Sequence, residues 1–255
     1  MIKINKQAEP PKILLDNKEK WTNNLMEAVK KYGSYKKIPR DEKEKLLKNY
    51  KHRDIQSILF DSSYMKCVFC ECKPAEGGNI EVEHFAPKSL YPHLTFEWSN
   101  LLPICRNCNG SKSNHDTLNS VIINPSEADP DRYFDFKTLK MVTSDTSPNK
   151  DISENTLNVI SNLNSPSLFR VRADLLYTLA TYEDDLEYHI KEIESSGTER
   201  QRSIRINKLK KSLELIEELC KPNEKYSGFV KNYVFKSDVI TKAKKIVSEF
   251  FSTLD

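Results

Sequence analysis

The sequence contains no hydrophobic run that approaches the length of a membrane-spanning helix. Its first stretch, MIKINKQAEPPK, also lacks the apolar core of a secretory signal peptide. Apolar residues make up 38% of the chain, and the mean hydropathy is −0.64. These features predict a cytoplasmic protein that has no membrane partner.

An excess of charge of either sign is also lacking. The 40 basic residues nearly cancel the 37 acidic ones, which leaves a net charge of +3. Nucleic-acid binding would therefore need a locally basic surface, because no global field attracts a polyanion. Internal repeats and low-complexity tracts are absent as well. A chain of 255 residues without them is long enough for one large domain or two small ones, each with a real core.

Cysteine is scarce, but four of the six cysteines form two CxxC pairs, separated by 34 residues: Cys67, Cys70, Cys105 and Cys108. A chain without a secretion signal is expected to keep its thiols reduced, so the pairs favour a metal over disulfides. Two such pairs can close a tetrahedral shell of thiolates around a structural Zn²⁺. The alternative is that one or both pairs are incidental, or that the site has lost its metal. The remaining two, Cys72 and Cys220, are interpreted as ordinary thiols.

Hydrophobic periodicity divides the chain into three regions. Helices are predicted for an N-terminal region of residues 1–63 and for a C-terminal region of residues 126–255. The compact region between them, residues 64–125, fits short strands and one short helix that begins near Arg106. The predicted fold class is therefore α+β and predominantly helical, with a zinc-stabilised core inserted between two helical regions.

Local signals predict where several elements begin and end. Gly33 is placed to end a first helix, and Pro39 to open a second apolar pattern. The dipeptide at 165–166 supplies a serine N-cap and an N1 proline for a long amphipathic helix. The stretch YFDFKTLKMV is a weak hairpin signal, and SSGT at 195–198 is interpreted as a turn between two helices.

A site of four cysteines explains folding but leaves no open coordination position for a substrate. Groups able to do chemistry lie between and just after the pairs, beginning with Glu83 and His84 in NIEVEHFAPKS. Neighbours on a regular strand point to opposite faces. Both side chains can therefore reach one site only if the strand twists or ends there, and Pro87 makes such an ending plausible.

The order and spacing of these residues match a known motif: Glu83-His84-x-x-Pro87, then Asn100-Leu101, then Cys105-x-x-Cys108-Asn109-x-x-Lys112. Over about 50 residues the sequence resembles the HNH nucleases, which have the ββα-metal fold. The resemblance implies that the compact region is an HNH core that hydrolyses phosphodiester bonds.

The same resemblance implies a role for each residue. His84 would be the general base, because an imidazole titrates in the working range. Glu83 and Asn109 would offer oxygen ligands to a catalytic Mg²⁺ or Mn²⁺. Asn100 would hold the loop between the strands, and Lys112 would lie near the phosphate as a point charge. This mechanism requires Glu83, His84 and Asn109 to converge, and it requires the imidazole to be open to solvent.

Two positions depart from the usual family pattern. The first metal position is often Asp or His, whereas Glu83 is one methylene longer than Asp. The last position is often His, whereas this chain has Asn109, as the HNH domains of CRISPR effectors do. A neutral amide is a weak ligand, which indicates a loosely bound hard cation.

A second resemblance covers most of residues 1–175. The blocks MIKINKQAEPP, VEHFAPKS, EWSNLLPICRNCNGSKSN, NPSEADPDRYFDF and NLNSPSLFRVR are similar to the PtuB-like family of Septu-type and retron-associated antiphage systems. This resemblance implies an effector nuclease whose partner is an ABC/AAA-type, PtuA-like ATPase. DNA is the favoured substrate, and tRNA or other RNA stays open.

Three functions fit these observations. One is a metal-dependent HNH nuclease within a defence assembly, and another is an HNH nuclease with housekeeping or mobile-element duties. The third is a catalytically inactive, zinc-stabilised module that binds nucleic acid or protein. The C-terminal helices are the predicted docking surface for a partner, because they exceed the needs of a small nuclease core. They carry a basic run that could follow a phosphate backbone or form a solvated face: Arg200, Arg202, Arg205, Lys208, Lys210 and Lys211.

Overall fold

The computed structural model describes residues 1–6, 9–73 and 79–252. Over these residues the fold is α+β and predominantly helical, which confirms that part of the prediction. The helices are α1 (Lys12–Tyr32), α2 (Arg40–Leu47), α3 (Arg53–Asp61), α4 (Arg106–Lys112), α5 (Lys150–Val159), α6 (Pro166–Glu194), α7 (Glu199–Leu219), α8 (Ser227–Lys236) and α9 (Asp238–Ser252). The strands are β1 (Ile80–His84), β2 (Leu101–Cys105), β3 (Phe134–Lys137) and β4 (Lys140–Thr143).

The chain forms two compact units. The first contains residues 1–135 and 141–165, and the second contains residues 136–140 and 166–255. The first unit thus joins the predicted N-terminal helical region, the predicted core and a further segment up to residue 165. The division of the chain into three functional regions stays a prediction.

Local signals placed most helix ends correctly. Helix α1 ends at Gly33, whose left-handed φ of 78° suits a residue without a side chain. Helix α6 begins at Pro166, as predicted, and the 195–198 turn precedes α7.

The apolar pattern that opens at Pro39 forms two helices, because His52 caps α3: its Nδ1 accepts a hydrogen bond from the Asp54 amide at 3.3 Å. The hairpin signal is confirmed by the pairing of β3 with β4.

The core of the first unit lies between its N-terminal helices and one face of a two-stranded sheet. Strands β1 and β2 are antiparallel, with Val82 opposite Pro103 and His84 opposite Leu101. Side chains alternate along β1, so Val82 faces the helices while its neighbours Glu81 and Glu83 face away. The buried apolar cluster includes Leu14, Leu25, Ile38, Tyr50, Ile55, Leu59, Val82, Phe96, Trp98 and Leu101. Trp98 is part of this cluster and is buried.

The N-terminal segment is attached to the same core by backbone and side-chain hydrogen bonds. The Ile2 amide donates to the Val68 carbonyl, and the Ile4 amide donates to the Pro125 carbonyl, both at 3.0 Å. Burial lowers the pKa of the Lys6 ammonium to about 8. Its Nζ donates to three carbonyls around the turn before β2, at 2.7–3.1 Å: those of Trp98, Ser99 and Leu101. The segment therefore braces the loop that leads into β2.

In the second unit, the apolar stripes predicted for α6, α7 and α9 pack into one core, which includes Leu186, Ile190, Ile206, Leu213 and Ile240. Several members of the basic run make local ion pairs, as in a solvated helix face. Arg205, for example, binds Glu192 through a 3.0 Å ion pair and through its carbonyl. None of the described helices has the length and hydropathy required to cross a bilayer.

Candidate functional site

Four cysteine sulfurs meet where the two CxxC turns of the first unit come together. One turn follows α3, and the other joins the end of β2 to the start of α4. All four residues are buried, and their sulfurs lie within 4.8 Å of one another. The Sγ atoms of Cys70 and Cys105 are 3.7 Å apart. Two sulfurs that bind one tetrahedral zinc ion at about 2.3 Å would be roughly 3.8 Å apart. The cluster can therefore hold one zinc ion: Cys67, Cys70, Cys105 and Cys108.

A fifth thiol lies against this cluster. Cys72 is only 1% exposed, and its carbonyl accepts a 3.0 Å hydrogen bond from the Cys67 amide. Interactions with the thiols of Cys105, Cys67 and Cys70 raise the pKa of the Cys72 thiol. The interpretation of Cys72 as an ordinary thiol is therefore incomplete, because its surroundings are those of the metal site.

Asn162 contacts the cluster from outside the two turns. Its Nδ2 donates a 3.2 Å hydrogen bond to Cys108 Sγ from a short 3₁₀ helix, Ser161–Asn164. A hydrogen bond of this kind orients a thiolate and spreads its charge. No sequence signal identifies Asn162, because 54 residues separate it from Cys108.

We expect Asn162→Ala to weaken zinc binding about 10-fold to 100-fold without abolishing it, the usual range for a lost hydrogen bond to a metal ligand. Competition with a chromophoric chelator would measure the change. Asn158→Ala is the matched control, because Asn158 is exposed on α5. Equal affinities in the two variants would show that the Asn162 hydrogen bond does not support the site.

Strand β1 and helix α4 are joined by two polar contacts. Asn109 Nδ2 donates to Glu81 Oε2 at 3.0 Å, and Lys112 Nζ lies 3.7 Å from Glu83 Oε1. The spacing explains the pairing, because i and i+2 share one face of a strand and i and i+3 share one face of a helix. Sequence analysis missed Glu81, although the alternation in IEVEH places it on the same face as Glu83.

Lys112 is almost fully buried, at 1% exposure. Among the described residues its Nζ has no hydrogen-bond partner, since Glu83 is beyond hydrogen-bonding distance. Burial lowers the pKa of Lys112, and the charge of Glu83 opposes this shift. Burial and the charge of Glu83 also raise the pKa of Tyr35 to about 12. The Lys112 ammonium and the Glu83 carboxylate thus lie together near the end of β1, where little water reaches the ammonium.

Asn109 contacts Glu81 rather than Glu83, and convergence of Glu83, His84 and Asn109 on one ion stays a prediction. Among the described residues, the cysteines form the one group of three or more His, Cys, Asp or Glu side chains close enough to share a metal. The oxygens of Glu81, Glu83 and Asn109 suit Mg²⁺ or Mn²⁺ in kind.

His84 is the last residue of β1, so the strand ends where the motif suggested. The imidazole is fully buried, at 0% exposure, and the expectation that it is open to solvent is wrong for this conformation. Its Nε2 lies 3.0 Å from the Thr95 carbonyl, which can only accept, so Nε2 carries the proton. Nδ1 has no hydrogen-bond partner among the described residues. Burial, followed by the charge of Lys88, lowers the pKa of His84 to about 3.

Asn100 closes the loop that follows β1. Its Oδ1 accepts from the Ala86 amide at 2.7 Å, and its Nδ2 donates to the Ala86 and Leu94 carbonyls at 3.1 and 3.0 Å. Its own carbonyl accepts from the Phe85 amide at 2.8 Å. Three of these bonds tie Phe85 and Ala86, immediately after His84, to the turn before β2, and the fourth ties Leu94 to the same turn. This is the geometry expected of a residue that positions the loop.

Comparison with known proteins supports the PtuB-like resemblance and does not extend the HNH resemblance. No protein-family model matches the chain, so the HNH resemblance rests on the motif residues themselves. Over 194 residues the chain is 30% identical to the Septu protein PtuB of Bacillus thuringiensis, an alignment that spans 76% of this chain and 73% of that relative. Identity at this level over about three quarters of both proteins shows common descent, and the chain belongs to the PtuB family of Septu proteins.

Proposed function

We propose that the protein is a metal-dependent HNH endonuclease of a Septu antiphage defence complex. One observation carries the proposal: the Thr95 carbonyl fixes His84 by one ring nitrogen, and the lone pair of the other has no partner among the described residues. A neutral imidazole held in a single tautomer presents the lone pair of Nδ1, and contact with water would have to return its pKa from about 3 toward neutrality before it acts as a base. An unpaired polar atom inside a protein costs about 1–3 kcal/mol, which favours a functional reason for its retention.

In the proposed reaction, His84 Nδ1 takes a proton from water as the water oxygen attacks phosphorus. The bond from phosphorus to the leaving sugar oxygen breaks, and that oxygen takes a proton from solvent. Asn100 positions the base, because its bonds to Ala86 hold the chain two residues beyond the imidazole. Lys112, whose charge acts on both Glu83 and His84, would stabilise the negative phosphate.

Glu83 and Asn109 are the proposed ligands of the catalytic cation. Asn109 bonds to Glu81 through its amide nitrogen, so its amide oxygen, a hard ligand, is not used in that contact. When bound, Mg²⁺ or Mn²⁺ would supply positive charge to the phosphate and the leaving oxygen. Because Lys112 is paired with Glu83, cation binding has to compete with this ammonium.

The buried imidazole adds a requirement to this mechanism. Water and substrate reach Nδ1 only if the side chains that cover His84 move when nucleic acid binds. The same burial is the observation that favours the second candidate function, a catalytically inactive zinc-stabilised binding module. The two candidates differ in one property, since only a nuclease breaks phosphodiester bonds.

The defence role and the partner rest on the family. The relative is named as a Septu protein, and for this chain we infer a PtuA-like ABC/AAA-type ATPase as the partner. The second unit is the proposed docking surface, because α6 and α8 expose large aromatic side chains: Tyr177 is 78% and Phe235 is 86% exposed. DNA is the favoured substrate, with tRNA or other RNA as the alternative.

A cleavage assay tests the proposal. The purified protein, with and without a PtuA-like ATPase, would be incubated with plasmid DNA, single-stranded DNA and tRNA in Mg²⁺, Mn²⁺ or EDTA. We expect divalent-dependent cleavage of at least one polymer and none in EDTA. If all three polymers stay intact under every condition while one of them is bound, the binding module is the better description.

A further inference from the structure

Tyr50 connects the N-terminal helical region to the proposed base. It lies in a short 3₁₀ helix, Lys48–Lys51, outside the predicted nuclease core. Its ring meets the edge of the His84 imidazole, with centroids 4.6 Å apart and planes at 77°. Tyr50 is itself 6% exposed, so this contact is part of the packed interior. The surroundings of the imidazole are therefore built partly by helices that the HNH motif does not include.

Two lysines from distant parts of the chain meet at the same tyrosine. Lys51 Nζ lies 5.6 Å from the centroid of the Tyr50 ring, and Lys88 Nζ lies 5.5 Å from it. The two ammonium groups are therefore no more than about 11 Å apart. An aromatic face attracts cations, so the ring can hold both side chains in place. Lys51 is exposed and Lys88 is half-buried, so both remain accessible from solvent.

In the part of the chain that the structure describes, Lys51 and Lys88 have no acidic partner. Neither Lys51 nor Lys88 makes an ion pair or a hydrogen bond to a carboxylate within residues 1–6, 9–73 and 79–252. Like charges held close together repel each other, and a bound anion would relieve the repulsion. Lys112 adds a third, buried ammonium that also lacks a hydrogen-bond partner among the described residues. Glu83 Oε1 lies 3.7 Å from Lys112 Nζ and offsets part of this third charge.

We propose that Lys51 and Lys88, held against Tyr50, form a clamp for a backbone phosphate of a polynucleotide, beside the bond that His84 attacks. This inference rests on the proposed nuclease function and specifies its ligand as a polymer with more than one phosphate. The clamp also gives the N-terminal helices a direct role, because Tyr50 and Lys51 belong to them. Binding of the phosphate at Tyr50 would act on the side chains that cover the imidazole.

The test measures binding separately from cleavage. Fluorescent 20-nucleotide single strands of DNA and of RNA, and a duplex DNA, would be titrated in EDTA across a range of salt concentrations. The test variant is the double substitution Lys51→Gln/Lys88→Gln. The matched control is Lys45→Gln/Lys48→Gln, which removes the same charge from exposed lysines nearby. A third variant, Lys51→Arg/Lys88→Arg, keeps the positive charge.

We expect the test variant to bind at least one polymer about 10-fold or more weakly at 0.1 M salt. Its plot of log affinity against log salt should be shallower by about 0.7 to 0.9, the slope carried by one neutralised phosphate. The control should bind as the wild type does, and the arginine variant should retain most of the affinity. Thermal melting of all variants would verify that each is folded.

The outcomes separate the clamp from the nuclease. If the wild type cleaves and the test variant both binds and cleaves equally well, the clamp is wrong and the nuclease stands. If binding depends on the two lysines but no cleavage occurs, the clamp stands and the nuclease is wrong. Loss of affinity in the control to the same extent would show a general charge effect and would overturn the clamp.

Discussion

Cys105→Ser is expected to eliminate tightly bound zinc and to unfold the first unit. Cys105 is 0% exposed and is the last residue of β2, immediately before α4. Structural zinc contributes about 10–16 kcal/mol in zinc-finger peptides, whereas a whole domain is typically stable by only about 5–15 kcal/mol. Loss of one of four thiolates therefore removes a contribution as large as the total stability. Elemental analysis and a thermal melt followed by circular dichroism would measure both effects.

Cys220→Ser is the matched control for this experiment. Cys220 caps the end of α7 in the second unit and takes no part in the cluster. This variant should keep one zinc ion per chain and the wild-type melting curve. Zinc content and melting that are unchanged in Cys105→Ser would contradict a structural zinc site, and the scaffold beneath His84 would then need another explanation.

His84→Gln is expected to lower the cleavage rate by about 100-fold to 10,000-fold, the range usually attributed to a general base. Glutamine can still donate its amide hydrogen to the Thr95 carbonyl, but it offers no basic nitrogen. The substitution therefore removes the base while retaining the hydrogen bond seen at Nε2. Initial rates on the polymer that the wild type cleaves best would give the ratio.

Binding and stability measurements complete this prediction. Affinity for the same polymer in EDTA should stay within a few-fold of the wild type, because the substituted group carries no charge at neutral pH. His93→Gln is the control, since His93 is exposed on a separate turn and contacts Tyr91 rather than Tyr50. A His84→Gln variant that is folded and cleaves at the wild-type rate would exclude His84 as the base.

Features that depend only on residues close together in the sequence, such as helix ends and CxxC turns, could be predicted. Gly33 ends α1 and Pro166 begins α6 because a left-handed cap and a fixed proline φ are local requirements. The CxxC spacing predicted two metal-binding turns, because two thiols three residues apart fit around one ion. Asn100 was expected to hold the loop, and its amide forms hydrogen bonds with the backbone of Ala86, while its catalytic role stays a prediction.

The contacts of the site itself were less predictable. Asn109 was expected beside Glu83 and lies beside Glu81, one strand repeat away, because the register of α4 along β1 depends on how the helix packs. Cys72 looked like an isolated thiol and lies against the cluster because of the turn that contains it. The HNH motif does not include Tyr50, and no sequence signal predicted that it contacts His84. The contact joins residues that are 34 positions apart.

From the sequence alone come the predominantly helical α+β class, the four thiols and the motif that suggests a nuclease, since each depends on residue type and short spacing. Only the tertiary structure decided that the imidazole is buried, that one of its nitrogens lacks a partner among the described residues and that two lysines meet at Tyr50. The burial of a side chain and the charges around it depend on every element that packs against it. A sequence pattern does not show these neighbours, because only folding brings them together.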